Sequence, residues 1–197
     1  VHRRLASTER RNVKLFGYGA KGMTLSMIET ALELTGERIT GRDIGLIVDL
    51  GKELLRHPVD LMPDVREAVG AVAARHGVVL ITKGDLFHQE AKVRQSGLAD
   101  LFHRIEIVSE KDLPTYRRLL TEFGLPPERF AMVGNSLRSD IEPVLALGAW
   151  AVHVPYPRTW VLEAEHEADL SSPRFAAVDR LSEGPSAVAG LAARAID

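Results

Sequence analysis

The sequence predicts an α/β fold, a doubly wound parallel sheet with a small helical N-terminal part. Three observations carry this reading. Before residue 60 only helical patterns occur, and after it helical patterns and short apolar runs alternate at least four times. The runs are short and mostly apolar, Val78 to Ile81 at every position, as strands covered by helices on both faces must be.

The elements follow in chain order. Thr24 to Leu34 has helical character and ends at Gly36, a residue suited to the left-handed position after a helix. Ile44, Ile47, Val48, Leu54 and Leu55 form one helical stripe that stops before Pro58. Pro63 suits a helical first turn, and Val65, Ala68, Val69, Val72 and Ala73 follow at helical spacing. Then come the apolar run Val78 to Ile81, a helix over Phe87 to Ser96, and the run Ile105 to Val108. A helix carrying Tyr116, Leu119, Leu120 and Phe123 leads to the run Phe130 to Val133. A helix with Ile141, Val144 and Leu145 leads to the run Trp150 to Val154. An edge strand over Phe175 to Val178 and a helix with Val188, Leu191, Ala192 and Ala195 complete the pattern. The expected division is a helical part over 1–60 and a Rossmann-like core over 61–197. In such sheets ligands sit outside the carboxyl ends of the strands.

Composition narrows the function. Lys and Arg total 25 against 27 for Asp and Glu, a formal net charge of −2, so no basic footprint marks a nucleic-acid partner. Cysteine is absent, which removes disulfides, thiolate metal sites and a cysteine nucleophile. The longest run without Asp, Glu, Lys or Arg, from Pro143 to Pro157, is 15 residues and holds three prolines. A membrane span needs ~20 apolar residues. The N-terminal arginines have no apolar signal-peptide core beside them. A soluble, cytoplasmic protein without membrane or nucleic-acid partners is the expectation.

Chemistry-bearing residues stand at three strand ends. The first run leads into Thr82-Lys83-Gly84-Asp85, where a hydroxyl and a glycine can present Oγ and N–H groups to an anion. The second leads into Ser109-Glu110-Lys111, with a cation able to neutralise a phosphate or carboxylate. The third leads into Gly134-Asn135-Ser136 and Asp140, oxygen donors of the kind Mg²⁺ takes. A plain β-to-α turn, a solvated lysine and a helix-capping Ser139 or Asp140 are the structural alternatives at the three places. Thr82 to Lys111 and Lys111 to Asp140 are each 29 residues, about one βαβ repeat. Hydroxyl, cation and carboxylate would therefore meet in one crevice, as phosphoryl transfer requires.

These residues resemble the motifs of the haloacid dehalogenase superfamily. Leu80-Ile81-Thr82 resembles its second motif, Lys111 its third, and Gly134-Asn135-Ser136 with Asp140 its fourth. Leu61 to Val65 resembles the segment that re-enters the core after a helical cap, and the match extends to about residue 155. The resemblance implies that Thr82 holds a phosphoryl group, Lys111 balances charge, and Asp140 with Asn135 holds Mg²⁺. It implies a phosphatase acting on a small phosphorylated metabolite through an aspartyl-phosphate intermediate. Lys83 and Gly84 are the adjoining substrate-binding candidates.

Two departures bear on that reading. The family's first motif, with its nucleophilic aspartate, lies on a strand before the cap, and no such strand precedes residue 60. The expectation is a core without its first strand, a gap between the strands at 78–81 and 130–133, and no phosphatase activity from residues 1–197 alone. Asn135 also replaces a more usual carboxylate and lowers the metal site by one charge. A metal-free dehalogenase of the same fold and a non-catalytic phosphate- or protein-binding module are the rival functions.

Gly17-Tyr18-Gly19-Ala20-Lys21-Gly22 matches G-x-G-x-x-G, after Val13 to Phe16 and before a helix. A dinucleotide site also needs an acidic residue ending a second parallel strand about 20 positions on. Asp43 stands instead in a helix start. The loop is expected to be either a plain turn or a substrate-facing loop, with Phe16, Tyr18 and Lys21 as contacts.

Overall fold

The computed structural model describes residues 1–157 and 168–194. The chain begins with three helices, α1 (His2–Phe16), α2 (Ala20–Thr35) and α3 (Gly41–Arg56). The first was not visible in the hydropathy pattern, because the residues it buries are Thr8 and Asn12. They meet a matching polar stripe on α2, where Ser26 and Thr30 are buried. Asn12 Nδ2 donates to Ser26 Oγ at 3.2 Å and to Glu29 Oε2 at 2.6 Å. Val13 to Phe16 is thus the last turn of a helix, and the segment before the glycine loop is not a strand. Thr40 begins α3 by accepting the Asp43 N–H at 3.1 Å, so Asp43 stands in a helix start.

A connection through Pro58 and Pro63 leads to α4 (Val65–Ala73), so Pro63 precedes the helix and does not occupy its first turn. The alternation then runs β1 (Val79–Lys83), α5 (Leu86–Ser96), β2 (Arg104–Val108), α6 (Leu113–Phe123) and β3 (Ala131–Gly134). A π-helical turn over Leu137–Ile141 passes into the short α7 (Glu142–Ala146), followed by β4 (Trp150–His153). β5 (Phe175–Ala177) and α8 (Gly184–Arg194) complete the described chain. Ala195 of the sequence-derived stripe lies outside the described residues.

All strand pairings among the described residues are parallel, in two groups: β1 with β2, and β3-β4-β5 with β5 at the edge. One core joins the groups. Ile81 of β1, Val108 of β2 and Met132 of β3 pack with Tyr116 and Leu119 of α6 and with Val144. The opposite face of the second group is covered by α8, where Trp150, Val152 and Leu191 pack with Val133. Met132 and Val133 thus serve opposite faces, the doubly wound arrangement that wholly apolar strands require. Leu119 is fully buried in the shared core. Leu119→Ala is expected to cost ~2–5 kcal/mol, read as a lower urea midpoint at an unchanged slope.

β1 and β3 do not pair with each other. A cleft of about 890 Å³ separates them, walled by Val79 and Ile81 on one side and Ala131 and Val133 on the other. Its upper rim is the carboxyl end of both strands.

Candidate active site

Parallel pairing sets the first half of the site. Thr82 lies opposite Ile107 and Lys83 opposite Val108. The Gly84 N–H donates to Val108 O at 3.1 Å, which extends the ladder one residue past β1. The turns after β1 and β2 therefore leave the sheet side by side. Gly84 has φ of 138°, and a side chain there would meet Gln89, so its place is explained by turn geometry.

Pairing of β3 with β4 sets the second half. Beyond the last paired residues, Val154 N–H donates to Gly134 O at 2.9 Å. The chain then turns through Asn135 and Ser136, whose hydroxyl accepts the Ser139 N–H at 3.0 Å. Ser136, and not Ser139 or Asp140, is thus the residue that starts the helical turn. That leaves the Asp140 carboxylate free to point back over the strand end. Gly134 makes room for it: a Cβ there would lie 2.6 Å from Asp140 Cβ and closer still to the carboxylate.

Asp140 is 4% exposed, and its two oxygens are held differently. Oδ1 pairs with Lys111 Nζ at 2.7 Å, and Oδ2 accepts the Ser136 N–H at 3.0 Å. Lys111 is itself largely sheltered, with its side chain 12% exposed. An ion pair this dry is held by geometry and hydrogen bonds, since desolvation offsets much of its attraction. Tyr116, fully buried on α6, donates its hydroxyl to Ser139 O at 3.0 Å and fixes the turn from below.

Thr82, Lys111, Asn135 and Asp140 all line the cleft between β1 and β3. The Thr82 hydroxyl is oriented by Gln89 of α5, with Oγ1 3.1 Å from Gln89 Oε1. The remaining candidates stand elsewhere. Lys83 Nζ reaches Ser139 Oγ at 2.7 Å and Glu110 Oε1 at 3.2 Å. Tyr18 lays its ring 4.1 Å from the Lys83 ammonium and donates its hydroxyl to Glu110 Oε2 at 2.5 Å. Lys21 pairs with Asp85 at 2.9 Å. Phe16, at the end of α1, is 47% exposed. None of Phe16, Tyr18, Lys21, Lys83 and Gly84 is among the residues lining the cleft.

Asp85 also caps α5, accepting the His88 N–H at 3.0 Å. The Lys21 hydrogen bond, with the His88 N–H, holds the Asp85 carboxyl below the usual aspartate range. Burial and the Lys92 charge push the His88 imidazole below its ordinary range.

The glycine loop is a turn between two helices, with Gly17 at φ 73° and Gly19 at φ 115°. No βαβ unit surrounds it, which removes the dinucleotide reading. Its tip touches the turns after β1 and β2. Sequence reasoning missed Gln89, Glu110 and Ser139. Glu110 and Ser139 stand one residue before Lys111 and Asp140, and that adjacency was the available signal. Gln89 had none. His153 was also passed over; its Nε2 lies 3.1 Å from Asn135 O, at the carboxyl end of β4.

A family model for haloacid dehalogenase-like hydrolases matches residues 6–148. The chain belongs to that family. A haloacid dehalogenase-like hydrolase from Xanthomonas campestris is 59% identical, with a TM-score of 0.87 over 97% of this chain and 76% of that one. More distant hydrolases share the fold. The L-2-haloacid dehalogenase of Xanthobacter autotrophicus, solved with chloropropionic acid covalently bound, is 16% identical (TM-score 0.65, covering 96% and 83%). A predicted phosphoglycolate phosphatase from Haemophilus somnus is also 16% identical (TM-score 0.62, covering 94% and 91%). A search of the curated proteins found no match.

The Mg²⁺ implied by the motifs can be tested against the donor set. Asp140 gives one carboxylate, already in contact with Lys111, and Asn135 gives an amide. Among the described residues no three His, Cys, Asp or Glu side chains are grouped to hold a metal. Mg²⁺ commonly takes only one or two carboxylates and completes its shell with water and substrate phosphate. The donors here meet the lower end of that requirement. Among the described residues, no helix is long and apolar enough to cross a membrane.

Proposed function

We propose that this hydrolase is a Mg²⁺-dependent phosphatase acting on a small phosphate monoester. The observation that carries the reading is the 2.7 Å contact of Lys111 with Asp140 in a cleft that Thr82 also lines. A hydroxyl donor, a fixed cation and a carboxylate at three parallel strand ends can orient a tetrahedral phosphoryl group and balance its charge. Thr82 would turn its hydroxyl hydrogen from Gln89 Oε1 to a phosphoryl oxygen. Lys111 would neutralise charge on the phosphoryl group and the attacking carboxylate. Asp140 and Asn135 would hold Mg²⁺, which when bound supplies further charge on the phosphoryl oxygens.

The attacking carboxylate implied by the family resemblance belongs on a strand between β1 and β3. The cleft there supports such a strand, being apolar on both walls and open along two unpaired strand edges. We assign that strand to a segment outside residues 1–197. Its aspartate would attack phosphorus and expel the alcohol, and water would then release phosphate from the aspartyl-phosphate. The substrate is a small phosphorylated metabolite, and the protein works in the cytoplasm.

A metal-free dehalogenase is the second reading, favoured by the direct Lys111–Asp140 ion pair and by the neutral Asn135. Substrate panels with and without a chelator separate the two. Full-length protein should release phosphate from small monoesters in Mg²⁺ and lose at least ~100-fold activity in excess EDTA. Halide release from a 2-haloacid that persists in EDTA would replace the phosphatase reading with the second.

A further inference from the structure

Three of the cleft-lining residues, Thr82, Lys111 and Asp140, have a second row behind them. Lys83 follows Thr82 in the chain, Glu110 precedes Lys111, and Ser139 precedes Asp140. Lys83 touches both of the others: its Nζ is 2.7 Å from Ser139 Oγ and 3.2 Å from Glu110 Oε1. Glu110 Oε1 also accepts the backbone N–H of Lys111 at 3.0 Å. One cation therefore ties the residues that carry the hydroxyl, the lysine and the carboxylate of the cleft.

The fourth member comes from the helical N-terminal part, 92 residues from Glu110. Tyr18 sits between Gly17 and Gly19, both at positive φ, which project its side chain onto the core. Its hydroxyl donates to Glu110 Oε2 at 2.5 Å while its ring faces the Lys83 ammonium. Lys83 is well sheltered, with its side chain 14% exposed, while Glu110 is 36% exposed and meets solvent on its outer side. The neighbouring Lys21–Asp85 pair also joins the helical part to the core, but Lys21 is 52% exposed and such a pair contributes little.

We infer that Tyr18, Glu110 and Lys83 form a latch that transmits docking of the helical N-terminal part to the turns carrying Lys111 and Asp140. Lys83 is then a positioning residue and not a substrate contact. When the helical part lifts, Glu110 loses the Tyr18 hydroxyl and Lys83 loses the aromatic face. The second row loosens, and Lys111 and Asp140 lose the support of their chain neighbours. The site is aligned only when it is covered. This inference rests on the cleft being the active site.

Amide hydrogen exchange on full-length protein tests the latch without any turnover. Tyr18→Phe keeps the ring over Lys83 and removes the donor; Glu110→Gln keeps the shape and removes the charge. Each should raise exchange roughly 5–20-fold over residues 17–24 and also over 109–112 and 136–141, with β1 and β3 unchanged. The double variant should rise by less than the product of the single effects, because both substitutions weaken the Tyr18–Glu110 bond. In kinetics with the best phosphate ester, Lys83→Met should lower kcat and Lys83→Arg should restore part of it. Exchange confined to 17–24 would overturn the coupling to the catalytic turns. So would equal increases in β1 and β3, additive single effects, or an unaltered kcat in Lys83→Met. If wild-type protein releases no phosphate, the phosphatase reading fails, and the exchange pattern still decides the latch.

Discussion

Asp140→Asn is expected to lower phosphate-ester turnover by at least ~10²–10³-fold while the protein remains folded. Asparagine keeps the shape of the side chain and an oxygen able to accept the Ser136 N–H, a bond of 3.0 Å in the native structure. It removes the charge that fixes Lys111 at 2.7 Å and that would hold the metal. The sequence alone presents Asp140 as a candidate helix cap, whose loss would cost about 1 kcal/mol. The buried ion pair raises that figure. Asp140→Ala would strand a sheltered lysine and cost ~3–5 kcal/mol. Asparagine, whose NH2 then faces Lys111, also leaves that charge uncompensated but keeps the Ser136 bond and the packing, so it is the milder of the two. Steady-state rates together with the thermal midpoint of the asparagine variant check the expectation. Near-native turnover would remove Asp140 from the site.

Gly134→Ala should be comparably damaging from a single methyl group. The added Cβ would meet Asp140 Cβ at 2.6 Å and its carboxylate more closely still. That carboxylate is held from two sides, by Lys111 and by the Ser136 N–H, so it has no easy retreat. Overpacking of this kind costs ~1–3 kcal/mol in stability. Displacing the carboxylate from Lys111 should also lower turnover by at least ~100-fold. A variant with native rates and an unchanged thermal midpoint would show that the strand end yields. Gly134 reads in the sequence as a residue allowing a ligand to approach the backbone, and the structure puts the protein's own Asp140 there.

The strands and most helices after residue 60 were legible because their burial is apolar and periodic. Val78 to Ile81 and Phe130 to Val133 lie within a residue or two of β1 and β3. α1 was not legible, since it packs through Thr8 and Asn12 against Ser26 and Thr30, and such an interface leaves no hydrophobic stripe. The same reason hid the second row of the site. Lys83, Glu110 and Tyr18 are each ordinary surface residues in a sequence, and only tertiary placement turns them into one network. Position after Thr82 marks Lys83 as a substrate-binding candidate, and nothing in the sequence shows the contacts of its ammonium with Glu110, Ser139 and the Tyr18 ring. The site residues on strand ends were easier. A parallel sheet brings together whatever follows its strands, so equal spacing of 29 residues in sequence becomes proximity in space.

Binding of orthovanadate, a tetrahedral phosphate analogue, to full-length protein measures whether these strand ends form one oxyanion site. Titration calorimetry in Mg²⁺ should show a single site in the wild type. Lys111→Met should weaken it at least ~100-fold and Thr82→Val roughly tenfold, the losses of a charged and a neutral partner. Wild-type affinity retained in Lys111→Met would contradict the assignment of this cleft as the place where the phosphoryl group is held.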